Sequence, residues 1–128
     1  MKAKHGRRWS LQKRAQRGFR GYPIATIAYY GPNDKHATKV AVGIVKDESG
    51  EVAELRRWFS DYGDIRTDQE INQEILQFID SQSPRSVVIA DRIMGCPHEE
   101  GIDYPKGESC PKCPFWAYRD RYTGEVLH

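Results

Sequence analysis

Apolar and polar positions change phase several times along this chain, and each change marks an element. From Tyr22 to Tyr30 the run YPIATIAYY is rich in β-branched and aromatic residues and closes on the turn cluster Gly31-Pro32-Asn33-Asp34. That combination predicts a strand. Lys39–Val45 (KVAVGIV) is apolar at nearly every position. A strand with no polar side belongs in the middle of a sheet, covered on both faces. Asp47-Glu48-Ser49-Gly50 supplies a hairpin turn, and Val52–Phe59 (VAELRRWF) follows as a third strand.

The period then changes to that of a helix. Thr67-Asp68-Gln69-Glu70 has the capping-box pattern, with Thr67 as the expected cap and Glu70 reaching back to it. Ile71, Ile75, Phe78 and Ile79 fall at i, i+4, i+7 and i+8, which puts them on one helical face. Ser83-Pro84 ends the helix near Gln82, and Val87–Ala90 is a short apolar strand. The order β-β-β-α-β predicts an α+β fold: a small, mostly antiparallel sheet with one packed helix, and a metal-clipped loop segment after the last strand. A chain of 128 residues suits one such domain. We place that domain at residues 21–128, with 94–118 as the metal-binding segment.

Residues 1–20 follow no clean period, and Trp9, Leu11 and Phe19 are isolated apolar positions. They are expected to form an exposed arm, helical in part. Charge sets this stretch apart. It holds eight Lys or Arg and no acid, so the remainder has 12 basic against 18 acidic residues and a net charge of −6. The overall +2 hides a basic arm on an acidic body. No apolar run approaches the ~20 residues of a membrane helix, and no apolar stretch follows the first basic residues as a secretory signal requires. With 38% hydrophobic and 30% charged residues, the chain is globular rather than disordered.

All three cysteines lie between Cys96 and Cys113. A secreted disulfide scaffold would use more cysteines, paired and spread along the chain. Clustered thiols point instead to a metal in a reducing compartment, so the expected location is the cytoplasm. Cys110-Pro111-Lys112-Cys113 offers two thiolates from one tight corner, and Cys96-Pro97-His98 offers a thiolate and an imidazole. Cys96, His98, Cys110 and Cys113 together make the tetrahedral set of a structural zinc site. Pro114 follows the second pair, where a glycine often stands, so that corner lacks an amide for hydrogen bonding to sulfur. The loop between the pairs (EEGIDYPKGES) holds Gly101, Pro105 and Gly107 and has little means of ordering itself without the clip.

Other chemistry is thinly represented. His98-Glu99-Glu100 with Cys110-x-x-Cys113 shares the outline of the zinc-deaminase signature. Only nine residues separate Glu100 from Cys110, Ser109 stands where that motif has proline, and Cys96 would be an extra thiol. Glu100 as base on a three-ligand zinc is the best enzymatic alternative. Glu99, Glu100 and Asp103 are otherwise expected to be solvated loop acids. Asp91, at the expected end of the last strand, is a second weak catalytic candidate, with turn capping as its plainer role. No phosphate-binding loop, nucleophile elbow or dinucleotide-binding glycine pattern occurs.

Several stretches are similar to a family of small bacterial proteins to which no activity is attached. They are Gly21-Tyr22-Pro23-Ile24, Tyr30-Gly31-Pro32, Lys39–Val45, Gly95–Tyr104 with Cys96 and His98, and Cys110–Trp116. The resemblance runs from Gly21 to the C-terminus, implies a bacterial source and carries no activity with it. The arm lies outside it. There, Arg7, Arg8, Lys13, Arg14, Arg17 and Arg20 suit phosphate neutralisation, and Trp9 and Phe19 suit base stacking. The expected function is therefore a zinc-binding module associated with nucleic acid. An acidic protein partner, or the protein's own acidic body, is the alternative contact for the arm.

Overall fold

The computed structural model describes residues 6–61 and 63–117, and for residues 6–10 the backbone alone. Four strands form one mixed sheet: β1 (Ile24–Tyr30), β2 (Lys39–Val45), β3 (Val52–Phe59) and β4 (Ser86–Ile93). Their spatial order is β3-β2-β1-β4. β2 is antiparallel to both β1 and β3, while β4 lies parallel to β1. That parallel pairing needs a crossover, which α2 (Gln69–Gln82) supplies. The architecture is the expected α+β sheet with a Cys/His cluster after its last strand.

Alternation decides which face is packed. Ala25, Ile27 and Tyr29 of β1 stand opposite Ile44, Val42 and Val40 of β2. Trp58 of β3 pairs with Val40. All of these are buried in one cluster with Ile75, Phe78 and Ile79 of α2. Ile71 packs at its margin, so the predicted helical face is the packed one. The Trp58 and Phe78 rings meet edge to face at 6.2 Å.

Local details depart from the sequence expectations in instructive ways. The helix starts at Gln69, and its cap is Asp68, whose carboxylate accepts the Ile71 amide at 3.0 Å. Thr67 instead ends a short 3-10 turn, Ile65–Thr67, with its hydroxyl on the Asp64 carbonyl. An aspartate one residue later caps the next amide along, that of Ile71 rather than Glu70, with a charge that also suits the helix dipole. β1 begins at Ile24 rather than Tyr22, and β4 runs on to Ile93 rather than stopping at Ala90. β2 is central as expected but is not covered on both faces. Val40, Val42 and Ile44 are buried completely, whereas Ala41 and Val45 are only partly so. The helices lie on one face, and Val52, Leu55 and Val88 on the other are about half exposed.

The N-terminal stretch also differs. Gly6–Gln16 forms a helix, α1, that packs on α2 and β4. Leu11 has no exposed surface and belongs to the main core, with Ala15 packed beside it. Residues 1–20 are therefore not an arm exposed throughout: among the described side chains, Leu11 and Ala15, one turn apart, pack the helix on the core. Arg14 adds an ion pair to Asp80 of α2 at 2.7 Å, a contact of small worth at the surface.

Asp64 ties the β1–β2 connection to the approach of α2. Its carboxylate accepts the amides of Ala37 and Arg66 and both Nε and Nη2 of the Arg66 side chain. Burial pushes this carboxyl up, but the hydrogen bonds from Arg66 and Ala37 outweigh it and bring the group down to about 2.

Two outcomes follow. Ile75→Ala and Leu11→Ala should each cost ~2–5 kcal/mol in urea unfolding, as buried truncations do. A loss under about 0.5 kcal/mol would place either side chain at the surface. The depressed Asp64 pKa contributes stability that is full above the ordinary carboxylate range and drains away as pH falls from about 4 towards about 2. Unfolding free energies measured across that window should fall less steeply for Asp64→Asn than for the parent protein.

Candidate metal centre

Past β4 the chain is fastened to the end of β1 by main-chain bonds. The Met94 amide donates to the Tyr29 carbonyl at 2.7 Å, and the Gly31 amide donates to the Gly95 carbonyl at 2.9 Å. Gly31 also accepts the Trp116 indole N–H at 2.8 Å, so both ends of the cysteine segment converge on one residue. A side chain at position 31 would collide with the His36 backbone, which explains a glycine here without any need for positive φ.

This fastening sets four ligand atoms around one point. His98 Nδ1 lies 3.3, 3.4 and 3.5 Å from the sulfurs of Cys96, Cys110 and Cys113. All four ligand atoms lie within 4.8 Å of one another. Around a tetrahedral ion with metal–sulfur and metal–nitrogen bonds of ~2.3 and ~2.1 Å, the sulfur–nitrogen edge is about 3.6 Å. The three observed edges match that figure to a few tenths of an ångström, so the residues fit a metal ion. The Cys113 amide returns to the Cys110 carbonyl, closing the C-x-x-C turn at 3.3 Å. The shorter Cys96-x-His98 element folds so that the His98 amide donates to the Cys96 sulfur at 3.2 Å. Because Nδ1, the nitrogen nearer the backbone, is the one that faces the three sulfurs, a one-residue spacer would suffice for the ring to ligate with them.

Cys110 and Cys113 are buried with Tyr104, and Trp116 closes over them. Burial pushes the thiols of Cys96 and Cys113 up; the two other sulfurs add to the effect at Cys96, and the Cys110 sulfur adds to it at Cys113. A divalent cation at the centre reverses that balance, because coordination deprotonates thiols.

The acids of the segment are neither idle nor simply solvated. Glu99 receives the Lys39 ammonium on Oε2 at 3.2 Å and the Arg57 guanidinium in a two-pronged pair, 3.0 Å to Oε1 and 2.9 Å to Oε2. Lys39 is 4% exposed, also donates to the Pro97 carbonyl, and lies near the rings of Tyr30 and Phe59. Glu100 accepts the Gly107 amide at 2.6 Å, and Asp103 accepts the Glu99 amide at 2.7 Å. Sequence reasoning did not single out Lys39, Arg57 or Trp116 as site residues. A lysine opening an otherwise apolar strand was the one available signal.

Of the other candidates, Asp91 sits within β4, away from the metal cluster's ligands. Lys13, Arg17, Arg20 and Phe19 are exposed, and Phe19 meets Tyr22 edge to face at 5.6 Å. Arg7, Arg8 and Trp9 lie on α1, and their side chains fall outside the described residues. No helix among the described residues is long and apolar enough to cross a membrane. Comparisons with protein-family models, curated proteins and solved structures returned no match.

The protein purified without chelator should carry one metal ion per chain by elemental analysis. Cys110→Ser should remove most of it, since one missing thiolate opens a shell of four. An unchanged metal content in that variant would reject the site.

Proposed function

We propose that the chain is a non-catalytic zinc domain whose basic N-terminal stretch contacts nucleic acid. The ligand set carries the first part. Three thiolates and an imidazole in a tetrahedron favour zinc over the other common divalent ions, and four protein ligands leave no open position for a reacting water. Free thiols of this kind suit a reducing compartment such as the cytoplasm.

A hydrolase reading draws no support from the carboxylates. Glu100, the best candidate base, is engaged with the Gly107 amide, and Glu99 is held between Lys39 and Arg57. Both stabilise the loop. Support for nucleic acid comes from the cations. Lys13, Arg17 and Arg20 are exposed and follow one another without an acid, on and just beyond a helix that the core holds in place. A docked helix presents its charges at fixed spacing, which suits a phosphate backbone better than a mobile tail does. An acidic protein surface is the competing partner.

Binding of the full chain to an oligonucleotide, measured against salt, tests this. With Lys13, Arg17 and Arg20 changed to Gln, the log–log slope should become shallower by up to about 0.9 for each duplex phosphate no longer neutralised. Substitution is preferable to truncation because Leu11 belongs to the core. No affinity at low salt would reject nucleic acid and leave the acidic protein partner.

A further inference from the structure

A pocket of about 390 Å³ shares no residue with the metal centre or with the clefts beside it. It lies where the parallel strands β1 and β4 end, between them and α1. Crevices outside the carboxyl ends of parallel strands are where open α/β sheets take ligands. Its polar lining comes from Arg66, Arg92, Asp91, Gln12, Gln16 and Tyr29, over a floor that includes Ile89 and Ala90.

Two features show that these groups are held for use. First, the pairing of β4 with β1 slips here: Ile27 stands opposite Ile89, but Tyr29 stands opposite Ile93. Two steps along β1 thus span four along β4, and the surplus residues are those that line the pocket. Bulges of this kind re-aim side chains beside sites. Second, the Arg66 guanidinium is pre-set. Asp64 holds its Nε and Nη2, the Lys35 carbonyl takes Nη2 again, and Asn72 secures the Arg66 carbonyl. Arg66 Nη1 keeps its donors unspent among the described residues. The side chains of Arg92, Asp91, Gln12 and Gln16 likewise make no hydrogen bond or ion pair among the described residues.

Charge selects the ligand. The lining carries two guanidiniums and one carboxylate, Asp91, and Arg66 is already paired with Asp64 beside the pocket, so the site is close to neutral overall while offering both cationic and acidic groups. A polyanion would meet Asp91 unfavourably, and a simple cation would meet the arginines. The geometry points to a site for a small zwitterion, with a carboxylate on Arg66 Nη1 and Arg92 and an ammonium on Asp91. An α-amino acid is the smallest member of that class, and the volume accommodates one with its side chain.

The test is an amide and arginine side-chain NMR titration of the metal-loaded full chain with individual α-amino acids, acetate, inorganic phosphate and a short oligonucleotide. At least one amino acid should give saturable shifts at Arg66, Arg92 and Gln16, with acetate weaker. Arg92→Gln and Asp91→Asn should each weaken that binding by about tenfold or more, as the loss of a charge-assisted hydrogen bond does. Asp91 is exposed and Arg92 half-buried, and unchanged spectra elsewhere would show the fold intact. No saturable shift with any amino acid up to ~10 mM, or equal binding by both variants, would overturn the proposal. Shifts at Arg92 with phosphate or oligonucleotide alone would also overturn it and assign the pocket to phosphate groups.

Discussion

Three thiols and an imidazole are brought to within bonding range of one point, and nothing but a cation makes that arrangement favourable. Without one, burial favours the protonated thiols of Cys96 and Cys113, with neighbouring sulfurs adding to the effect, and protonated thiols exert only weak attraction on each other. With a divalent ion, the same crowding becomes four short bonds, and the loop from Cys96 to Cys113 gains a fixed shape. The segment's own packing is slight: Tyr104 and the cysteines form a small cluster that meets the main core through Trp116. A bound ion would therefore supply much of its order, as in small metal-clipped modules.

The centre is attached to the sheet by charge as well as by backbone. Three thiolates on a dication would leave a net charge of −1, and Lys39 and Arg57 line the cleft beside Cys96 and His98. Both cations converge on Glu99, one residue after the histidine ligand. Placing a lysine in a 4% exposed position is costly unless its ammonium is fully answered. Here the Pro97 carbonyl, the Glu99 carboxylate and two aromatic rings answer it. Ligand, carboxylate and sheet cation thus lie in succession, so the metal segment has one orientation on the domain.

Much of this was legible from local chemistry. β2, β3 and the packed face of α2 follow from periodicity alone, and the four residues that gather into the Cys/His cluster from residue type and spacing. What escaped was set by tertiary structure. The capping aspartate competed with a threonine of equal local merit one residue earlier. Leu11 has only the small Ala15 one turn away as a periodic partner in sequence, yet its position on α1 reaches the core. The second face of β2 is as apolar as the first, and only the placement of both helices shows which one is packed. Lys39 and Glu99 are sixty residues apart, and no local pattern joins them. Asp91 was singled out as a strand-end acid, but the bulge that turns it outward depends on the register with β1.

The central claim is a closed centre of three sulfurs and one nitrogen. X-ray absorption at the zinc edge of the protein as purified measures this directly. The account predicts three sulfur scatterers at ~2.3 Å and one nitrogen at ~2.0–2.1 Å, with four ligands in all. A shell with two sulfurs or fewer, or with an oxygen in place of the histidine nitrogen, would contradict it.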